Sequence, residues 1–247
     1  MCTATWWSDS ARYELFFSRD ERKDRSPGIE PKLHSKEGVK YICPRDPDGG
    51  GTWILVNEYG LTVSLLNQYP ESPAPMKQPR ISRGRLVELL ASCRDIDSVT
   101  RKVELIDLAH YEGFLLMVIE PGNEGCLYRW DTHSLSIDAQ AKASLPVTSS
   151  SFMSDEVIEA RRKLFADMVA GNEDPSSEKL REFHHYSMPE AASHSVFMQR
   201  DDSETVSLCQ IEVGPEAILM SYQPKQLGEK RFGQAVTVRL TPHACLV

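Results

Sequence analysis

Cys2 is the residue whose position most directly indicates chemistry. The chain begins Met1-Cys2-Thr3, and an initiator methionine is commonly removed when the next residue is small. Removal would leave Cys2 with a free α-amine. The pKa of an α-amine, about 7.7 to 8.0, lets it act as a base near neutral pH, within reach of its own thiol. Such a pair activates a nucleophile without a histidine. The alternative is that Cys2 only begins an edge strand.

The remaining cysteines and the histidines carry weaker signals. His184, His185 and His194 have no acid or thiol at convincing ligand spacing, so we interpret them as a polar loop and predict no metal site. The other cysteines are scattered and form no C-x-x-C pair. We expect them to be small buried hydrophobes without disulfides; they are Cys43, Cys93, Cys126, Cys209 and Cys245.

Composition and charge narrow the class of protein. The chain has 247 residues and a formal net charge of -8. An acidic surface repels phosphate backbones, so nucleic acid is an unfavourable partner. No apolar run approaches the roughly 20 residues needed to span a bilayer, and no signal-like segment opens the chain. We therefore expect a cytoplasmic protein without a membrane span.

The elements that must position Cys2 follow from the hydrophobic pattern. Strand hairpins are predicted at 2–7 with 13–17, 52–56 with 61–66, and 114–119 with 125–130, with later strands at 194–198, 205–213, 217–223 and 236–240. Helices are predicted at 82–92, 155–169 and 176–184, and a further helix after 82–92 is predicted to be capped by Asp97 or Ser98. Residues 21–40, charged and proline-containing, are predicted to form a long loop. Hairpins and helices in this order indicate an α+β fold of mainly antiparallel sheets covered by helices, as one domain over 1–247.

Several short motifs follow one another in the first 70 residues. Ser18-Arg19-Asp20-Glu21 ends the second predicted strand, Gly50-Gly51-Thr52-Trp53 follows a turn, and Asn57-Glu58-Tyr59-Gly60 forms a hairpin. In order and spacing they resemble the NRDE family, the Golgi-organisation (TANGO) type proteins, whose name-giving Asn-Arg-Asp-Glu stands here as residues 18–21. The same skeleton resembles the cysteine N-terminal-nucleophile (Ntn) amidases, the bile salt hydrolase and penicillin V acylase group. Those also begin Met-Cys-Thr.

The resemblance implies a four-layer αββα sandwich and a set of catalytic roles. It places Arg19 beside Cys2, where a cation would favour the thiolate; the alternative for Arg19 is a surface salt bridge with Glu21 or Asp24. Asp20 or Glu21 would orient the α-amine. Strand alternation puts Arg19 and Glu21 on one face and Asp20 on the other.

Two further positions follow from the resemblance, and one departs from it. Asn67 would donate to the oxyanion of a tetrahedral intermediate, although an asparagine also suits a turn before Pro70. The amidases carry an asparagine where this chain has Ser149. A hydroxyl is shorter than an amide, so the departure at Ser149 bears on catalytic competence, as does Ser18 in the first position of its motif.

Two functions from different classes remain open. The first is hydrolysis of a non-peptide amide through a Cys2 acyl-enzyme, which needs no metal or organic cofactor. The second is a binding or trafficking protein on the same fold, holding an acyl-lipid or haem-like ligand, as the NRDE resemblance implies. Retention of Cys2, Arg19 and Asn67 favours the enzyme, and Ser149 favours the binding protein. If Met1 is kept, the amine is blocked and the enzyme hypothesis loses its base.

Overall fold

The computed structural model describes residues 1–169, 176–188, 190–226 and 228–244. Within these ranges the strands are β1 (Cys2–Ser8), β2 (Tyr13–Arg22), β3 (Ile29–Lys36), β4 (Val39–Arg45), β5 (Ile54–Asn57), β6 (Thr62–Asn67), β7 (Phe114–Ile119), β8 (Cys126–Trp130), β9 (Leu135–Asp138), β10 (Val147–Ser149), β11 (Ser203–Val213), β12 (Ile218–Pro224) and β13 (Val236–Leu240). The α-helices are α1 (Arg83–Leu89), α2 (Ile96–Glu104), α3 (Ser154–Met168) and α4 (Ser177–His185).

The described strands form two antiparallel sheets. Sheet A has the order β10-β1-β2-β11-β12-β13, and sheet B has the order β3-β4-β5-β6-β7-β8-β9. One apolar core lies between the sheets. A second joins sheet B to α1 and α2, and a third joins sheet A to α3 and α4. The predicted α+β sandwich of two sheets between helix layers is therefore confirmed.

Strand β1 shows how the sequence builds these layers. Its side chains alternate between the two faces of sheet A. Cys2, Ala4 and Trp6 face the core between the sheets, whereas Thr3 and Thr5 hydrogen-bond to side chains of α3 and α4. One strand therefore carries Cys2 on one face and polar anchors to the helix layer on the other.

The hairpin motif at Asn57 is built by hydrogen bonds. The Asn57 Oδ1 atom accepts from the backbone N–H groups of Tyr59 and Leu61, at 3.0 and 3.2 Å. Its Nδ2 donates to the carbonyl oxygens of Ala91 and Cys93 in the segment between α1 and α2. Asn57 thus fixes the β5–β6 turn and ties sheet B to its helix layer.

The predicted loop at 21–40 is wrong over most of its length, since only residues 23–28 and 37–38 lie outside strands. Strand β2 continues to Arg22, and residues 29–36 and 39–45 form the paired strands β3 and β4. Strand β3 lies at the edge of sheet B and most of its side chains are exposed, so it needs no apolar alternation. Edge strands also tolerate charge and proline, and Pro31 lies in this one. The pattern that predicted a loop is that of a polar edge strand.

The predicted strand at 194–198 is also wrong. The backbone there forms turns and bends, followed by a single bridge between Gln199 and Glu204. Instead of pairing in a ladder, the carbonyl oxygens of His194 and Ser195 accept hydrogen bonds from Arg161 of α3. An apolar segment can therefore be buried without being a strand, because the buried side chain of Arg161 supplies the hydrogen bonds that its backbone carbonyl groups need.

Two further findings concern the lengths of the helices and the cysteines. No helix in the described ranges is long and apolar enough to span a membrane. Cys2, Cys43, Cys93, Cys126 and Cys209 are buried free thiols. Cys245 lies outside the described residues.

Candidate active site

Cys2 begins an interior strand of sheet A. Strand β1 lies between β10 and β2, so Cys2 is directly opposite Arg19 on β2 and Ser149 on β10. The residue is buried, and with Arg19, Glu21 and Asn67 it lines a cleft of about 130 Å³. The fold thus brings Cys2 together with three predicted site residues.

Arg19 is a buried, fixed cation. Its Nη2 lies 3.1 Å from a carboxylate oxygen of Glu21 and 3.6 Å from one of Asp46. Its guanidinium carbon lies 4.2 Å from the ring centroid of Trp53, a cation–π distance. The pair with Glu21 is thus in the cleft wall rather than on the surface, and Asp24 pairs with Arg22. These contacts hold the Arg19 charge on the Cys2 side of sheet A.

The glycines of the Gly-Gly-Thr-Trp motif allow a close crossing beside the cleft. A Cβ atom on Gly51 would lie 2.4 Å from the carbonyl carbon of Gly84, a distance that no real contact reaches. The Thr52 N–H donates to the Gly84 carbonyl at 3.2 Å, and the Asp46 N–H donates to the Gly51 carbonyl at 2.9 Å. The crossing therefore positions Asp46 and the start of α1 at the wall of the cleft.

Asp20 faces away from Cys2. Its Oδ2 lies 3.3 Å from Nη2 of Arg161 in an ion pair whose two side chains are fully buried. Its Oδ1 accepts a hydrogen bond from the Thr205 hydroxyl at 2.7 Å. Only the Asp20 backbone serves the cleft side: its N–H donates to the Met1 carbonyl at 3.0 Å and its carbonyl accepts from the Met1 amine at 3.3 Å. The carboxylate that orients an amine from this motif is therefore not that of Asp20.

Arg161 was not predicted from the sequence and connects the strands beneath Cys2. Besides Asp20, its Nη1 donates to the Thr3 hydroxyl of β1 at 2.9 Å and to the Thr148 hydroxyl of β10 at 3.0 Å. A signal existed, since Val157, Arg161 and Phe165 recur every four residues and all three are buried. An arginine on the apolar stripe of a helix indicates a buried partner.

His184 corrects the interpretation of the histidines as a polar loop. It lies in α4, fully buried, with Nδ1 2.7 Å from the Ser18 hydroxyl and Nε2 2.9 Å from the Thr5 hydroxyl. Burial lowers its pKa to about 3, so the ring is neutral. Ser18 therefore belongs to the helix side of sheet A. In the described part of the chain, no three His, Cys, Asp or Glu side chains are placed to hold a metal ion.

Asn67 and Ser149 flank Cys2 from two directions. Asn67 ends β6, and its Nδ2 donates to the Tyr69 hydroxyl at 3.4 Å. The Met1 amine donates to the same hydroxyl at 3.5 Å. Ser149 is buried opposite Cys2, and its Oγ has no hydrogen-bond partner among the described residues. A buried hydroxyl without a partner is unfavourable. The Ser149 hydroxyl can therefore still form a hydrogen bond with a molecule that enters at this position.

The Cys2 thiol is protonated at neutral pH while Met1 is attached. Burial raises the pKa of Cys2 to about 11, and the Met1 amine and Arg19 offset this only in part. The Met1 side chain is itself buried beside Cys2 and lines the same cleft. In this form the site holds a protected thiol rather than an active nucleophile.

Comparison with solved structures identifies the class of fold. Structures sharing this fold include penicillin V acylase from Agrobacterium tumefaciens, with a TM-score of 0.58, 14% sequence identity, and coverage of 91% of this chain and 83% of the other. A variant of conjugated bile acid hydrolase from Clostridium perfringens matches with a TM-score of 0.56 and 11% identity over 96% and 92% of the two chains. The N-acylethanolamine-hydrolyzing acid amidase ortholog of Caenorhabditis elegans matches with a TM-score of 0.58 and 12% sequence identity, covering 85% of this chain and 92% of the other. The fold is that of the Ntn hydrolases.

The family is shown by a match to its sequence model. The model of Transport and Golgi organisation 2 matches residues 1–233. The chain belongs to this family, as its first-70-residue motifs predicted. No curated protein matches the chain.

Proposed function

We propose that this protein hydrolyses a small-molecule, non-peptide amide through an acyl-enzyme on Cys2, exposed by removal of Met1. The Cys2 sulfur attacks the amide carbonyl carbon, and the Cys2 α-amine takes the thiol proton and passes it to the departing amine. Water then cleaves the resulting thioester, releasing the acid. The observation that carries the proposal is that Cys2, Arg19 and Asn67 line one cleft in a chain with the Ntn fold.

Each neighbouring group has a physical role in this scheme. Arg19, fixed by Glu21 and Trp53, favours the thiolate over the thiol. Asn67 donates to the oxyanion, a contribution of about 3–4 kcal/mol for such a donor. Removal of Met1 also takes away the acceptor of the Asp20 N–H. That N–H lies close enough to Cys2 to lower its pKa, so it becomes available to the thiolate.

A second candidate is a binding protein that uses the same cleft without chemistry. The observation favouring it is the raised pKa of Cys2 in the form that retains Met1, together with a serine at position 149. The ligand would then be an acyl lipid or a haem-like molecule, the classes that the family resemblance implies. In that case Cys2 is an inherited residue in a ligand pocket.

One experiment on the natively expressed protein separates the two candidates. Intact-mass measurement reports whether Met1 is removed, and iodoacetamide below stoichiometry, followed by peptide mapping, ranks the thiols. The enzyme requires loss of Met1 and preferential labelling of Cys2 over the buried Cys43 and Cys209, whose pKa values burial raises to about 12. Cys2→Ser should abolish turnover of any amide found by screening while leaving the melting temperature nearly unchanged. Retained Met1, or equal labelling of all thiols, would favour the binding protein.

A further inference from the structure

The Met1 side chain lies at the cleft and extends to residues that do not line it. It is buried, and its sulfur lies 3.4 Å from the Ser150 hydroxyl and 3.5 Å from Nη1 of Arg200. Ser150 also lies 2.6 Å from the Phe152 carbonyl, to which it donates its hydrogen. The sulfur therefore faces one strong donor group, the Arg200 guanidinium.

One N–H donor of Arg200, at Nη1, has only a weak acceptor. Its side chain is 10% exposed. Nε and Nη2 each donate to a carboxylate oxygen of Asp202 at 2.9 Å, and Nη2 also donates to the Ser203 hydroxyl at 3.3 Å. Among the described residues, the acceptor for Nη1 is the Met1 sulfur alone. A thioether is a weak acceptor, so a part-buried charged N–H points at a group that satisfies it poorly.

The charges around Arg200 leave room for an anion. Asp202, its ion-pair partner, is 66% exposed and therefore well screened by water. The Lys23 ammonium donates to the Arg200 carbonyl at 2.6 Å and adds a second positive charge. The Asp20 carboxylate is paired with Arg161 on the other face of sheet A. Among the described residues, the carboxylate that hydrogen-bonds to Arg200 does so through Nε and Nη2, so Nη1 faces the Met1 sulfur with no carboxylate hydrogen-bonded to it.

We infer that the space filled by the Met1 side chain is a subsite for a carboxylate of the ligand, bound by Nη1 of Arg200. The inference rests on the proposed function, because Met1 must leave for the space to open. The Met1 side chain is unbranched, so the subsite accepts a narrow, linear group that ends in the acid. The substrate class is then an amide bearing a carboxylate a few bonds from the carbonyl that Cys2 attacks. A carboxylate replaces the weak sulfur acceptor with a charge-assisted hydrogen bond.

The test measures protection of Cys2 from iodoacetamide by two matched ligands. Pentanoate and pentanamide have the same length and differ in charge. In protein shown by mass to lack Met1, pentanoate should halve the Cys2 labelling rate at about one-tenth of the pentanamide concentration, as one charged hydrogen bond implies. Arg200→Gln should remove that preference, and Arg200→Lys should retain part of it. Arg231→Gln is the matched control, since Arg231 pairs with an acid two residues away and is exposed.

The outcomes separate this inference from the proposed function. If Cys2 labels preferentially but pentanoate and pentanamide protect equally in the wild-type protein, the carboxylate subsite is refuted and the nucleophile stands. The same holds if Arg200→Gln keeps the preference. If Cys2 does not label preferentially in protein without Met1, the proposed function fails first. If the native protein keeps Met1, the subsite stays filled and both fail. The wild-type comparison decides the question even if Arg200→Gln does not fold.

Discussion

Replacing Arg161 with methionine should destabilise the protein far more than the same change one residue later. Arg161 and Asp20 form an ion pair whose side chains are both 0% exposed. Removing one partner leaves a buried charge uncompensated, which typically costs about 3–5 kcal/mol. Arg161→Met keeps an unbranched side chain of similar length, so little of the loss comes from packing. Arg162 is exposed in the same helix, and Arg162→Met should change the stability by less than about 0.5 kcal/mol.

Urea unfolding and thermal unfolding, each followed by circular dichroism, measure both variants. For a chain of this size, about 3–5 kcal/mol corresponds to a fall in Tm of about 6–20 °C. Adding Asp20→Asn to Arg161→Met removes the stranded charge, so the double variant should be more stable than Arg161→Met alone. Equal midpoints for Arg161→Met and Arg162→Met would refute the claim that the buried pair supports this region.

The same variant tests whether the pair positions Cys2. Arg161 donates to Thr3 on β1 and to Thr148 on β10, the residues adjacent to Cys2 and Ser149. Losing both hydrogen bonds should loosen the pairing of the two strands at that point. Iodoacetamide labelling of Cys2 should then become faster under native conditions in Arg161→Met, whereas Arg162→Met should leave the rate unchanged. A rate that is the same in both variants would limit Arg161 to a role in global stability.

Three other predictions concern pH and close packing. The pKa of His184 is lowered to about 3 in the folded state, below its usual 6.5, so its contribution is full above pH 6.5 and is lost as the pH falls toward 3. Urea unfolding should show a loss of about 2 kcal/mol between pH 6.5 and 5 that His184→Gln lacks. In protein that keeps Met1, the alkylation rate of Cys2 should rise about tenfold per pH unit from pH 7 to 10, because its pKa is raised to about 11; a flat profile would contradict a protonated thiol. Gly51→Ala should cost about 1–3 kcal/mol because its Cβ would meet the Gly84 backbone, whereas Gly214→Ala, with ordinary contacts only, should be nearly neutral in the same unfolding assay.

Much of the architecture could be predicted because, in most strands, the local hydrophobic pattern matches the layer in which the strand lies. The hairpins at β1–β2, β5–β6 and β7–β8 carry strong strand signals at their own positions, and each lies where the pattern indicates. Strand β3 was missed because an edge strand with exposed side chains has no apolar alternation to detect. The segment 194–198 gave the opposite error, because a strand was predicted where the structure forms none. Its apolar residues are buried, but its carbonyl groups bind Arg161, a partner that sequence pattern does not reveal.

Part of the candidate site could likewise be predicted from the sequence, and part could not. The order of motifs along the chain was enough to group Cys2, Arg19 and Asn67, since strands β1, β2 and β6 bring their ends to one cleft. The side-chain direction of Asp20 followed from alternation, but its partner did not. Arg161 lies 141 residues away on α3, and only tertiary packing makes the pair. Arg200 could not be found for the same reason, because only tertiary packing brings it to the sulfur of Met1, 199 residues away.

The structure also separates two departures from the family pattern that look equivalent in sequence. Ser18 lies on the helix side of sheet A and is hydrogen-bonded to His184. Its replacement of an asparagine is therefore matched by a buried partner and does not alter the cleft. Ser149 lies directly opposite Cys2, and its hydroxyl has no partner among the described residues. Because an unmet hydroxyl opposite Cys2 can donate to an oxyanion or to a ligand, we propose that the departure at Ser149, and not the one at Ser18, bears on catalytic competence.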